Sequence, residues 1–166
     1  MGCRRIILLS GKRDAAMPRE KQHAVCVENL RRAGDVAAKR GFTLLLEPID
    51  TLENPPIYLT RVAEAFQIAG AVKLPSVRVP YDFYHEARGN EVPGDIGSLL
   101  APIQGNVDLL GLVHIANVPG RCIPNQGKIN YLQIYRGLES HGWMAMEFLP
   151  VGDAETELRT ASAQIR

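Results

Sequence analysis

The sequence is poor in the features that mark several large classes of protein. Its apolar runs are only a few residues long, far short of the roughly 20 needed to cross a bilayer, so no membrane partner is expected. Nineteen Lys and Arg stand against eighteen Asp and Glu, and a formal charge of +1 gives nucleic acid no electrostatic purchase. The three cysteines, Cys3, Cys26 and Cys122, lack metal or redox spacing, and their odd number argues against a disulfide framework. A reducing cytoplasm is therefore the expected location. Histidines number only four, too few for a phosphodiesterase site built on several zinc ions. Arg4 and Arg5 precede an apolar run of only Ile6–Leu9, shorter than the roughly 7–15 residue core of a signal peptide. Met1-Gly2-Cys3 is followed by Ile6 where an N-myristoylation motif needs Ser or Thr.

What the chain does contain is one event repeated four times. Thr43-Leu44-Leu45-Leu46 reads as a strand buried on both faces of a parallel sheet, and it ends abruptly at Glu47-Pro48. A carboxylate placed directly after a buried strand is costly unless a cation or hydrogen bonds receive it. VRVPYD ends likewise at Asp82, GLVHI carries His114, and WMAMEF carries Glu147. The intervals between the four are 35, 32 and 33 positions, close to the length of one βα unit.

The rest of the pattern fits between these strands. Ile6–Ser10 reads as a first strand, followed by a helix over Pro18–Lys39 with Pro18 in its first turn and Gly41 ending it. Cys26, Leu30, Ala33 and Ala37 form its apolar stripe. A second helix is expected over Ile57–Ala69, with Leu59, Val62, Ala63, Phe66 and Ala69 on one face. Val77–Tyr81 is the third strand, and a long polar loop is expected from Asp82 to Pro93 with a turn at Gly89-Asn90. A short helix presents Ile96, Leu99, Leu100 and Ile103, and Gly111–Ile115 is the fourth strand. Asn130 should cap a helix to about Ser140, with Leu132, Tyr135 and Leu138 facing inward. Trp143–Phe148 is the fifth strand, with Trp143 in the core at its base. Asp153 should cap a last helix in which Leu158, Ala161 and Ile165 share a face. Five alternations without a linker or composition shift predict a single α/β domain, residues 1–166, with a parallel sheet. Right-handed crossovers would bring Glu47, Asp82, His114 and Glu147 to one rim, and convergence on one centre favours a barrel over an open sheet.

Three carboxylates and one imidazole are a hard, oxygen-rich donor set that suits Mn²⁺, Mg²⁺ or Co²⁺ better than a structural zinc, with Mg²⁺ or Mn²⁺ the expected cofactor. Such a metal polarises a carbonyl while flanking carboxylates move a proton at the neighbouring carbon. His85, three residues past Asp82, is a candidate to touch substrate or to support the ligand. Arg121, just beyond the fourth strand, is a candidate to grip a substrate carboxylate bidentately.

LLLEPID, VPYDFYH, HIANVPGR with the following Asn130-Tyr131, and MEFLP together resemble the hydroxypyruvate isomerase family of the xylose-isomerase-like TIM barrels. The resemblance runs over nearly the whole chain. It implies a partial (β/α)8 TIM barrel of about five βα units, corresponding to strands 4 to 8. It also implies a divalent metal on Glu47, Asp82, His114 and Glu147, with Glu47 and Glu147 as the proton-transferring pair. The implied reaction interconverts hydroxypyruvate and 2-hydroxy-3-oxopropanoate through an enediolate, so the partner is a small hydroxy or keto acid or a sugar. His114 stands where the isomerase branch has Gln, and Asn117 where it has Asp. Histidine is the ligand of the related ketose 3-epimerases, which makes an epimerase the alternative enzyme. Five strands of eight would leave open, apolar edges at Ile6–Ser10 and Trp143–Phe148, so self-association or a covering partner chain is expected. A non-catalytic fragment binding through that edge is the remaining alternative.

Overall fold

The computed structural model describes residues 2–89, 95–124, 126–138 and 143–164. Strands and helices alternate along the chain, and the strands follow one another in the sheet order β1-β2-β3-β4-β5. The chain divides into two compact units, Met1–Tyr81 with Asp108–Gly111, and Asp82–Val107 with Leu112–Arg166.

The first unit contains β1 (Arg5–Leu9), α1 (Arg19–Lys39), β2 (Thr43–Glu47), α2 (Val62–Val72) and most of β3 (Val77–Asp82). β1 pairs in parallel with β2, and β2 with β3. Leu45 and Leu46 have no exposed surface, as a strand covered on both faces requires. α1 ends as expected at Gly41, whose φ of 70° is costly for residues with a Cβ. There the Phe42 N–H donates to Ala37 O at 2.9 Å and the Gly41 N–H to Ala38 O at 3.0 Å, which satisfies two terminal carbonyls. The buried stripe of α1 includes Gly34 in place of the expected Ala33, which is exposed. A Cβ at Gly34 would lie 2.7 Å from Val77 Cγ2 and 2.9 Å from Leu74 Cδ1, so only glycine lets the helix approach so closely. α2 starts later than its pattern suggests, because Ile57, Tyr58 and Leu59 are buried in the preceding loop. Its inner face carries Val62, Ala65, Phe66, Ile68 and Ala69, while Ala63 is exposed.

The second unit contains α3 (Phe83–Gly89), α4 (Ile96–Leu100), α5 (Tyr131–Gly137), β5 (Met144–Met146) and α6 (Ala154–Gln164), with the end of β4 (Leu110–Ile115). β4 and β5 pair in parallel, Val113 opposite Met144 and Ile115 opposite Met146. Its core gathers Phe83, Leu99, Ile115, Ile129, Tyr131 and Ile134. Phe83 meets Tyr131 edge to face at 6.0 Å.

Four expectations are corrected here. The segment after Asp82 is helix α3 rather than a loop; the Gly89-Asn90 turn and Pro93 lie at or beyond the edge of the described residues. α5 turns Tyr131, Ile134 and Leu138 inward and leaves Leu132 and Tyr135 exposed, a face rotated by one position. Trp143 is 65% exposed and lies before β5, not in the core. In α6, Ala161 is buried but Leu158 is 48% exposed, and Ile165 lies outside the described residues.

Candidate metal centre

Asp82 is the last residue of β3 and the cap of the helix that follows. Its Oδ1 accepts the Tyr84 N–H at 2.8 Å and the His85 N–H at 3.4 Å, which fixes the carboxylate at the strand end. The other oxygen, Oδ2, faces three cationic or basic groups: Arg121 Nη2 at 3.0 Å, His85 Nε2 at 3.5 Å and His114 Nδ1 at 4.0 Å. Asp82 is 2% exposed, so this cationic surround offsets the cost of burying its charge.

His114 sits in β4 between Val113 and Ile115, both fully packed, and is itself 5% exposed. Its Nδ1 lies 2.9 Å from Glu147 Oε2. Glu147 follows β5 directly and is anchored by its backbone N–H, which donates to Ile115 O at 3.1 Å. Its side chain is about half exposed. The hydrogen bond from His114 holds the Glu147 carboxyl below the usual range; burial opposes this, and the charges of His114, Arg121 and His85 add to it.

Arg121 ties the cluster together. Nη2 reaches Asp82 Oδ2 at 3.0 Å and Glu147 Oε2 at 3.1 Å, while Nε donates to Glu147 O at 2.9 Å. The Leu149 N–H donates back to Arg121 O at 2.8 Å. Its backbone has a φ of 55°, a conformation residues other than glycine adopt rarely and at a cost. Two features hold it there. Asn117 and Cys122 exchange backbone hydrogen bonds at 2.8 and 3.1 Å, closing the turn, and the guanidinium stacks 4.9 Å over the ring of Tyr84. Asn117, without exposed surface, accepts the Val118 and Ile129 N–H groups on Oδ1 at 2.9 and 2.8 Å and donates Nδ2 to Ile129 O at 2.9 Å.

Of the six residues singled out in the sequence, Asp82, His85, His114, Arg121 and Glu147 are thus brought together within the second unit. Glu47 belongs to the first unit, where it closes β2 opposite Leu9 and is 6% exposed. Sequence reasoning missed Tyr84 and Asn117. The aromatic residue inside YDFYH and the buried amide two positions past the fourth strand were the available signals.

Ligand atoms from Asp82, His114 and Glu147 all lie within 4.8 Å of one another. A divalent ion with ligands at about 2.0–2.1 Å spans roughly 4 Å between opposite donors, so this set can close around one ion with small adjustments. Two carboxylates and an imidazole are a donor set suited to a divalent metal ion.

A parallel βα repeat with a carboxylate–imidazole cluster at the strand ends defines the class of metal-assisted barrel proteins. The chain belongs to the xylose isomerase-like TIM barrel family, whose profile matches residues 1–164. It is 32% identical over 162 residues to the hydroxypyruvate isomerase of Escherichia coli, covering 96% of this chain and 60% of that one. It is 31% identical over 153 residues to a 2-oxo-tetronate isomerase of Cupriavidus necator, covering 90% and 56%. A solved structure described as AP endonuclease, family 2 from Brucella melitensis superposes with a TM-score of 0.82 at 31% identity, covering 97% and 61%. The chain spans about 60% of the length of the relatives it matches, and its five strands correspond to part of a (β/α)8 barrel. Among the described residues, no helix is long and apolar enough to cross a membrane.

Proposed function

We propose that this chain carries the catalytic part of a metal-dependent isomerase acting on a small hydroxy-keto acid of the hydroxypyruvate type. The observation that carries the reading is the Asp82–His114–Glu147 cluster, bridged by Arg121, in a chain whose relatives are named as isomerases of such acids. Asp82, His114 and Glu147 would hold the metal, with Glu47, the buried carboxylate closing β2, as a fourth ligand. When bound, the metal polarises the substrate carbonyl and lowers the acidity barrier at the adjacent carbon.

The chain's own groups supply the proton movements. In the absence of metal the His114 hydrogen bond favours the Glu147 carboxylate, and this half-exposed carboxylate is the group placed to take a proton from the hydroxyl-bearing carbon. The resulting enediolate collapses when Glu47 gives a proton to the neighbouring carbon while the hydroxyl proton passes from the first oxygen to the former carbonyl oxygen; exchange with solvent then returns the proton on Glu147 and replaces the one given by Glu47. Hydroxypyruvate thereby becomes 2-hydroxy-3-oxopropanoate with no net gain or loss of atoms. His85 and Arg121 orient Asp82, and the Arg121 guanidinium adds positive charge where the enediolate develops negative charge. His114 keeps the ketose 3-epimerase alternative in play, since it is the ligand expected in that branch.

The test is turnover of hydroxypyruvate by purified protein with Mg²⁺ or Mn²⁺, compared with Glu147→Gln. The substitution keeps size and one oxygen but removes the base, and at a half-exposed site it should spare the fold. We expect a loss of at least about 100-fold, the scale of a general base. Wild-type-like turnover in Glu147→Gln refutes the assignment, and activity on ketohexoses but not hydroxypyruvate selects the epimerase.

A further inference from the structure

Tyr84 stands in the first turn of α3, just past Asp82, and touches several groups of the metal centre at once. Its backbone N–H donates to Asp82 Oδ1 at 2.8 Å, and its ring meets that of His85 edge to face with centres 5.5 Å apart. The Arg121 guanidinium lies over the ring, 4.9 Å from its centre. We propose that Tyr84 is a positioning residue of the reaction: its ring face holds the Arg121 guanidinium where the enediolate develops negative charge. The proposal rests on the reading of the Asp82–His114–Glu147 cluster as the reacting centre.

Three observations support it. Arg121 donates to Asp82 Oδ2 and Glu147 Oε2, carboxylates that also belong to the metal-ligand set, so these contacts weaken when the site is loaded. The contact with the Tyr84 ring does not compete for those oxygens, and neither does the bond from Arg121 Nε to Glu147 O at 2.9 Å. The backbone bond anchors the near end of the guanidinium, and the ring limits where the fork can swing. The contact is also dry: Tyr84 is 5% and Arg121 8% exposed. A cleft of about 450 Å³ in the same unit is lined by Tyr84, Pro119, Gly120 and Lys128 among others, but not by Arg121. The ring thus separates the guanidinium from the solvent in that cleft, and a cation over an aromatic face is held more strongly when desolvated. Finally, the ring itself is fixed. Its hydroxyl accepts Arg88 Nη1 at 2.6 Å and its own N–H is tied to Asp82, so the ring sets Arg121 in register with the strand end. Arg121 adds charge where the enediolate forms, so loosening it should lower kcat and leave KM nearly unchanged.

The test compares Tyr84→Phe, which keeps the ring face and drops the hydroxyl, with Tyr84→trifluorophenylalanine, which keeps nearly the same shape but drains negative charge from that face. Packing is thereby held constant while the hold on the cation changes. With hydroxypyruvate and Mg²⁺, kcat of Tyr84→Phe should stay within about threefold of wild type, and the fluorinated ring should fall roughly tenfold further with KM moved less than about twofold. In an Arg121→Gln background the fluorines should make no difference, because the residue through which they act is gone. A second readout needs no turnover: exchange of the Arg121 Nε–H proton with water, followed by NMR in metal-stripped and Mg²⁺-loaded protein. Fluorination should speed it severalfold, most of all with Mg²⁺ bound. Unchanged exchange overturns the proposal, as does an unchanged kcat in an active enzyme or a loss of kcat that is equally large in Arg121→Gln. Faster exchange on fluorination in a wild-type background that turns over no hydroxypyruvate would leave the ring's hold on Arg121 standing and refute the functional reading instead.

Discussion

Replacing Arg121 by glutamine separates the two cations that the Asp82 and Glu147 carboxylates can receive, the protein's own and a metal. Glutamine is chosen because the backbone at φ 55° is equally strained with either side chain, so that term cancels. The substitution removes contacts of 3.0 Å to Asp82, 3.1 Å to Glu147 Oε2 and 2.9 Å to Glu147 O, together with the stacking on Tyr84. Breaking a buried ion pair costs about 3–5 kcal/mol. Glu147 is about half exposed and its share is screened, whereas Asp82 is almost fully enclosed, so the lower end, ~3 kcal/mol, applies. With an m-value of roughly 1–3 kcal/mol/M, the urea midpoint of metal-free protein should fall by ~1–3 M. In saturating Mn²⁺ the same carboxylates have a cation, and the deficit should shrink to about 1 kcal/mol, the part owed to lost packing and stacking on Tyr84. Urea titrations of both proteins with EDTA and with Mn²⁺, followed by far-UV circular dichroism, provide the comparison. Equal deficits in the two conditions would show that Arg121 and the metal do not serve the same oxygens, and a metal-free loss below about 1 kcal/mol would show that the bridge carries no weight.

Two further outcomes follow from other parts of the chain. Burial, followed by the nearby Glu64 carboxylate, pushes the Tyr58 hydroxyl up to about 12 from its ordinary 10. The folded state therefore holds this proton more tightly; its contribution is intact below pH 10 and is lost as the pH rises toward 12, by on the order of 2 kcal/mol. Tyr58→Phe should flatten the stability–pH curve in that window, and identical slopes would refute the assignment. β1, first in the strand order, leaves Ile6, Ile7 and Leu9 each more than 40% exposed, an apolar edge of the kind that invites pairing with another chain. Sedimentation at micromolar concentration should show self-association that Ile7→Lys weakens, whereas a monodisperse 18.3 kDa wild-type monomer would contradict it.

The strands, and the acidic and histidine side chains at their ends, were legible because both depend on short-range pattern. A run such as Thr43–Leu46 that ends in Glu47 states its own burial, and the same signal recurs at Asp82, His114 and Glu147. Asn130 was legible as a cap for a similar reason, and its side chain accepts the Gln133 N–H at 3.3 Å. Helix faces were harder. In α1 a glycine, which scores as neither apolar nor polar, occupies the inner stripe because of the closeness of Val77 and Leu74, and that closeness is a tertiary fact. In α5 the choice between Leu132 and Tyr131 as the inner residue is settled by the Tyr131 hydroxyl, which donates to Ala116 O at 2.6 Å and so satisfies its polar atom inside the core. α3 was missed because Asp82 was read only as a ligand, although the same carboxylate starts the helix through Tyr84 and His85. The role of Arg121 was also read in part: the sequence marks a basic loop residue, but nothing local shows that its charge is spent on Asp82 and Glu147.

The Asn117 clamp gathers the two ends of the segment between Val118 and Ile129 at one point. Both ends of that segment are fastened to a single amide side chain, and a Cβ at Gly127 would fall 2.3 Å from Val118 O and 2.4 Å from Asn117 Oδ1, so the closing side has no slack. The clamped ends themselves carry Pro119, Gly120 and Lys128 at the wall of one cleft and Arg121 at the Asp82–Glu147 bridge, so a side chain at Gly127 or the loss of the Asn117 amide should disturb the cleft and the bridge together.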